Sequence, residues 1–208
     1  MDLWGLESKA SCESDNVNNT RTNFINDRAQ EVLDIQNLVM GLDMYAHNAG
    51  GPSGRTNSIG LTWCNQATFD VANAFGFNQT ALYGSSSRMF VTANQAYENL
   101  TNAASNGTIT EITSRREAQQ LANQGFVVIV AQASTSGSGH LSTVVAGIDP
   151  DNAETDMQVA HVGDGDSERR TINDSFGVNN EVQFFYDQNQ TNTVTGVVTS
   201  PVMEFMAQ

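Results

Sequence analysis

The spacing of hydrophobic positions changes along the chain, from a helical period in the first part to a strand period after about residue 125. Apolar residues recur every three or four positions in two early stretches, and each stretch ends at glycines. This period is typical of helices that bury one face. The first stretch begins after a capping pattern at Asp27 and Gln30, and the second follows directly on Thr62-Trp63-Cys64. The two apolar faces comprise Val32, Ile35, Val39, Leu42 and Ala46, and then Ala67, Val71, Ala72 and Phe75.

The next stretch, residues 78–124, is predicted to be mostly helical, with breaks at residues 84–87 and 106–107. Ser114 and Glu117 form a second capping pattern, and Gly125 is placed to end the helix that this pattern begins.

Short apolar or alternating runs then replace the helical period, which predicts a series of strands. Helices followed by neighbouring strands are typical of an α+β fold. We therefore expect a polar N-terminal segment over residues 1–25 and a single domain over 26–208, with a helical insertion at about 78–124. The predicted strands are residues 126–131, 140–148, 157–163, 182–186 and 193–199.

The charge balance narrows the classes of partner. Nine Lys and Arg residues stand against 23 Asp and Glu, for a net charge of −14. Nucleic acids and anionic lipid surfaces attract cationic proteins, so neither is an expected partner. No stretch approaches the roughly 20 apolar residues of a membrane-spanning helix. Residues 1–7 lack the cationic start and apolar block of a signal peptide, so we expect either a cytoplasmic protein or export by another route.

Cys64 is the candidate nucleophile. It is predicted to lie in the first turn of a helix, where exposed backbone N–H groups and the helix dipole favour the thiolate. A thiolate is the form that attacks a carbonyl carbon. The alternative is that Cys64 is a small buried hydrophobic residue. Cys12 lies in a polar, Asn-rich stretch, and a disulfide between the two cysteines is not expected. Trp63 either forms a wall of a substrate groove or packs beneath the helix.

Two histidines supply candidate partners for this thiol. His140 begins one predicted strand and His161 ends the next, so an antiparallel pairing would bring them together at one rim of the sheet. His140 is the candidate general base and acid, because imidazole titrates near neutral pH. His161 is the candidate orienting residue, with Gln158 as the alternative. The hypothesis requires Cys64, His140 and His161 to converge at a solvent-reachable cleft.

The order of nucleophile, base and orienting residue, on a helix followed by two strands, resembles the papain-like NlpC family of cell-wall peptidases and the related CHAP amidases. The similar segments are residues 62–66, 139–147 and 159–161, and the resemblance covers roughly residues 55–165. It implies a papain-like domain that cleaves amide bonds of peptidoglycan with no cofactor. The backbone N–H of Cys64 would form part of the oxyanion hole. The chain departs from the family pattern in the long stretch before His140 and in the acidic loop at 149–156.

An acidic peptidoglycan hydrolase with no signal peptide resembles the antibacterial effectors of type VI secretion systems, and this expectation rests on the resemblance. Such a protein would act in the periplasm of a target bacterium. Its expected partners are peptidoglycan, a cognate immunity protein and a component of the secretion machine, with no nucleic acid and no membrane insertion.

Two alternatives use the same residues differently. Cys64, His140 and His161 could be three ligands of a zinc ion, since thiolate and imidazole are its usual ligands. The chain could also be a non-enzymatic acidic binding module in which Cys64 is part of the core.

Overall fold

The fold is described from a computed structural model, which defines residues 27–41, 63–86, 91–163, 166–178 and 181–190. The helices are α1 (27–40), α2 (Trp63–Ala74), α3 (Gln79–Tyr83), α4 (Ala93–Ser105), α5 (Arg115–Asn123), α6 (Ala153–Asp156) and α7 (Ile172–Phe176), with a 3₁₀ turn at Pro150–Asn152. The strands are β1 (Thr110–Ile112), β2 (Val128–Gln132), β3 (His140–Thr143), β4 (Gln158–Gly163), β5 (Asp166–Thr171) and β6 (Gln183–Tyr186).

Four strands form an antiparallel sheet in the order β1-β6-β2-β3, and β4 and β5 form a separate two-stranded ribbon. The ribbon continues from β3 through an antiparallel bridge between Val144 and Val159. Next to this bridge, the N–H of Val145 donates to the carbonyl of Gln158 at 2.9 Å. β3 and β4 are therefore antiparallel neighbours. The chain is a mixed α+β protein, as the order of helical and strand patterns predicts.

Alternation of side chains along the strands creates two apolar layers, one on each face of the sheet. On the first face, Ile129, Leu141 and Phe185 pack against a layer that includes α2, α3 and α4. On the second face, Val130 and Phe184 pack against α5, β4 and α7. The same alternation continues in β4, where Val162 belongs to the first layer and Val159 to the second.

Helix α2 is more deeply buried than its sequence predicts. It packs against β3, β4 and α4, and α1 contributes to the same layer. The apolar face was expected to be covered, but the polar residues Asn65, Gln66 and Asp70 are buried as well. Apolar periodicity in the sequence identifies the helix face that packs on the core. It does not indicate whether other elements also cover the opposite, polar face.

Several elements differ from the sequence-based predictions. The stretch 78–124 is not purely helical, because β1 lies within it and pairs with β6 as an edge strand of the sheet. The acidic loop at 149–156 contains the 3₁₀ turn and α6. β5 and α7 were not predicted, since the sequence of β5, Asp-Ser-Glu-Arg-Arg-Thr, has no alternating apolar residues. The N-terminal segment 1–25 and the predicted strand 193–199 lie outside the described residues.

The helices that the structure describes include none long and apolar enough to cross a membrane.

Candidate functional site

His140 and His161 lie side by side at the end of the sheet. His140 is the first residue of β3, and its Nε2 atom is 3.1 Å from Nδ1 of His161 on β4. The ring centroids are 4.9 Å apart. His161 is buried and His140 is half-buried. The two imidazoles thus meet as the antiparallel pairing of their strands predicts.

A third polar group, the hydroxyl of Ser175 on α7, completes this arrangement. Ser175 Oγ lies 2.7 Å from His161 Nδ1 and 3.1 Å from His140 Nε2. The next residue, Phe176, packs its ring against His140 with the centroids 4.7 Å apart. No sequence motif singles out Ser175. The capping pattern at Thr171 and Asp174, where the Thr171 hydroxyl accepts from the Asp174 N–H, is the signal that indicates a helix here.

The surroundings of His140 oppose a positive charge on its ring. Burial in the apolar layer lowers the pKa of His140 to about 3, and the neighbouring charges of His161 and Arg170 act in the same direction. His140 is therefore neutral near pH 7. A neutral imidazole has a lone pair that can accept a proton, but the lowered pKa makes His140 a weaker proton acceptor than free imidazole. The expectation that this ring titrates near neutral pH is therefore not met.

The loop that leads into His140 is tied to helix α4. Asn94 Nδ2 donates to the carbonyls of Ser134 and Gly137, both at 3.1 Å, and Asn94 Oδ1 accepts from the N–H of Ser134 at 2.9 Å. Gly139 leaves no room for a side chain, because a Cβ atom there would lie 2.5 Å from both Asn94 Oδ1 and the carbonyl of Gln132. These contacts hold the Ser- and Gly-rich loop in one conformation, and they fix the residue at which β3 begins.

Cys64 is the second residue of α2, and the residue is buried, with 3% of its surface exposed. It belongs to the same buried layer as Leu141 and Val162, the strand neighbours of the two histidines. Because successive strand residues point to opposite faces, Leu141 and Val162 face the α2 layer, whereas the two imidazoles face α7. The structure thus brings the histidines together but buries the thiol. The expectation of a solvent-reachable thiol is not met, since α2 is covered on more than its apolar face.

The remaining predicted site residues are also located. Trp63 begins α2, and its side chain is not among those that the structure describes. Gln158, the alternative orienting residue, begins β4 and shares the strand face of Val162. It therefore points away from the face that carries the imidazoles, and His161 is the polar partner of His140 on β4.

The zinc alternative receives no support from the geometry. In the described part of the chain, which includes Cys64, His140 and His161, no three His, Cys, Asp or Glu side chains are grouped so that they could hold a metal ion.

Comparison with protein-family models and with curated proteins finds no match to this chain. The likeness to the NlpC family therefore rests on the motifs around Cys64, His140 and His161.

Proposed function

We propose that this protein is a cysteine-dependent amidase or endopeptidase with a papain-like domain of the NlpC type, and that it cleaves amide bonds in bacterial peptidoglycan. The observation that carries the proposal is the His140–His161 pair on β3 and β4, the two strands against which the helix of Cys64 packs. This supports the order of nucleophile, base and orienting residue that the sequence motifs suggest.

The proposed reaction requires the Cys64 thiol, which lies in the layer on the α2 side of β3 and β4, to reach the imidazole of His140 on their other side. His140 then accepts the proton of the thiol, and Sγ attacks the carbonyl carbon of the scissile amide. The backbone N–H of Cys64 stabilises the oxyanion. The C–N bond then breaks as His140 donates the proton to the leaving amine, and water hydrolyses the thioester to release the acid. His161 holds the His140 ring in position throughout.

The proposed setting is the periplasm of a bacterium attacked through a type VI secretion system. The sequence resemblance supports it. A cognate immunity protein and a component of the secretion machine are the proposed protein partners.

Digestion of purified peptidoglycan, followed by mass analysis of the fragments, tests the proposal directly. We expect the wild-type protein to release fragments whose masses identify one cleaved amide bond. Cys64→Ala and His140→Ala should abolish release while retaining the circular dichroism spectrum of the fold. Cys12→Ala, the matched cysteine control, should remain fully active. Unchanged release by either Cys64→Ala or His140→Ala would refute the mechanism.

The burial of Cys64 favours a second candidate, the acidic binding module in which this cysteine is a core residue. Alkylation by iodoacetamide separates the two candidates, because an activated thiolate reacts far faster than a buried thiol. Faster modification of Cys64 than of Cys12 supports the hydrolase, and modification of Cys64 only under denaturing conditions supports the binding module.

A further inference from the structure

We infer that Ser175 is a positioning residue whose hydroxyl couples the tautomers of His140 and His161, so that the two imidazoles act as one base. The inference rests on the proposed function only for its effect on catalysis, because the coupling itself is a property of the three side chains.

Three polar atoms of these side chains face one another and share a limited number of hydrogens. His140 Nε2, His161 Nδ1 and Ser175 Oγ form a triangle with sides of 3.1, 3.1 and 2.7 Å. If neither ring nitrogen carried a hydrogen, two lone pairs would face each other with only the hydroxyl hydrogen to share. If both carried one, two N–H groups would point at each other. One ring nitrogen must therefore donate while the other accepts.

Two hydrogen-bond arrangements satisfy this requirement. In the first, His161 Nδ1–H donates to Ser175 Oγ, and the Ser175 hydroxyl donates to His140 Nε2. In the second, His140 Nε2–H donates to Ser175 Oγ, and the hydroxyl donates to His161 Nδ1. Moving one proton onto the hydroxyl oxygen and one off it carries a proton from one ring to the other. Between two neutral rings this move alone would leave one ring cationic and the other anionic, so the two arrangements interchange only when His140 Nδ1 also loses a proton and His161 Nε2 gains one. The hydrogen positions of the two rings are therefore coupled.

The second arrangement is the one that suits a base. Because Nε2 of His140 carries its hydrogen there, Nδ1 is the atom with the lone pair that accepts the thiol proton. The resulting second hydrogen on His140 is costly, since burial opposes a charged ring. Passing the Nε2 proton to the Ser175 oxygen, as the hydroxyl proton moves to His161 Nδ1, shares that charge between the two rings and leaves Ser175 unchanged.

The structure holds the hydroxyl in place for this role. Thr171 caps the start of α7, where its Oγ1 accepts from the N–H of Asp174 at 3.2 Å. At the other end of the helix, Phe176 is buried and packs on the His140 ring. Ser175 lies between these two anchors and is itself half-buried.

The test compares Ser175→Ala with Ser175→Thr, which keeps the hydroxyl, and with Ser142→Ala. The last is a matched control: Ser142 is a buried serine two residues from His140 on β3, and its hydroxyl donates to the carbonyl of Ala160 at 2.6 Å.

The first readout is the ¹⁵N NMR spectrum of the ring nitrogens. We expect one of the two nitrogens, His140 Nε2 and His161 Nδ1, to have a protonated shift and the other an unprotonated shift in the wild type. Ser175→Ala removes the partner that the two rings share, so both shifts should move toward the average of the protonated and unprotonated values, and Ser175→Thr and Ser142→Ala should keep the wild-type shifts.

The second readout is hydrolysis. Ser175→Ala should lower kcat at least about 10-fold with little change in KM, since an orienting residue acts on the catalytic step. Ring-nitrogen shifts that are the same in Ser175→Ala and in the wild type would overturn the inference. So would full activity of Cys64→Ala together with loss of activity in Ser175→Ala, because Ser175 would then be the nucleophile. If no variant and no wild-type protein hydrolyses peptidoglycan, the proposed function fails while the NMR result still decides the coupling.

Discussion

Lowering the pH from 7 to 5 should destabilise the fold through His140. The pKa of this histidine is about 3 in the folded protein and 6.5 as the reference value for the unfolded chain. Between these two values the unfolded chain binds one more proton than the folded protein, so stability falls as the pH falls below 6.5. One pKa unit corresponds to about 1.36 kcal/mol. The loss between pH 6.5 and pH 5 is therefore about 2 kcal/mol, an upper bound because water reaches part of the ring.

The contribution of His140 to the pH dependence of stability is measured by urea unfolding at pH 7 and pH 5. The two proteins compared are the wild type and His140→Gln. Glutamine is polar and does not titrate, so the variant lacks the proton uptake at this position. Groups distant from His140 titrate in both proteins and cancel when the two pH-induced changes are subtracted. The difference therefore reports His140 together with whatever its loss changes at the neighbouring His161. We expect the wild type to lose up to about 2 kcal/mol more than the variant over this interval. Equal losses would show that the ring is protonated as easily in the fold as in the unfolded chain, which contradicts the burial argument.

Two further predictions concern packing near and away from the histidines. Gly139→Ala should lower the free energy of unfolding by about 1–3 kcal/mol, because the new Cβ would lie 2.5 Å from the backbone carbonyl of Gln132. Gly137→Ala in the same loop is the control and should be nearly neutral in urea unfolding, since its nearest contact would be a side-chain atom at 3.6 Å. Arg28→Met should be neutral or stabilising by up to about 3 kcal/mol, because the guanidinium is buried and its terminal nitrogens lack hydrogen-bond partners within the described residues. A thermal melt that shows marked destabilisation of this variant would contradict the argument.

The sequence was sufficient to predict the features that depend on local pattern. The helix that begins at Trp63 follows from its apolar spacing, and the meeting of the two imidazoles follows from the order of strands β3 and β4. Both predictions use rules that act over a few residues or over one antiparallel connection. The α+β class follows from the same patterns.

The features that the sequence did not predict depend on tertiary packing, in which distant parts of the chain cover a helix or strand. Ser175 was missed because α7 is a five-residue helix that follows a polar strand, so apolar periodicity gives no sign of it. The sequence left open whether Cys64 is exposed or buried for a related reason. Polar residues on α2 such as Asn65, whose side-chain amide donates to the carbonyl of Val91, are covered by other parts of the chain. Tertiary packing of this kind leaves no local periodicity to detect.

The polar group formed by His140, His161 and Ser175 is costly in stability, and this cost bears on the choice between the two candidate functions. These side chains occupy the face of the sheet that elsewhere carries Val130 and Phe184. Polar groups brought into an apolar layer lose their hydration, and hydrogen bonds among them recover only part of that loss. A binding module with an inert core has no need of two facing imidazoles, whereas a base that works through its neighbour does. The arrangement is therefore what the proposed proton transfer would need at this end of the sheet, and the reactivity of the Cys64 thiol toward iodoacetamide tests whether a cysteine nucleophile takes part.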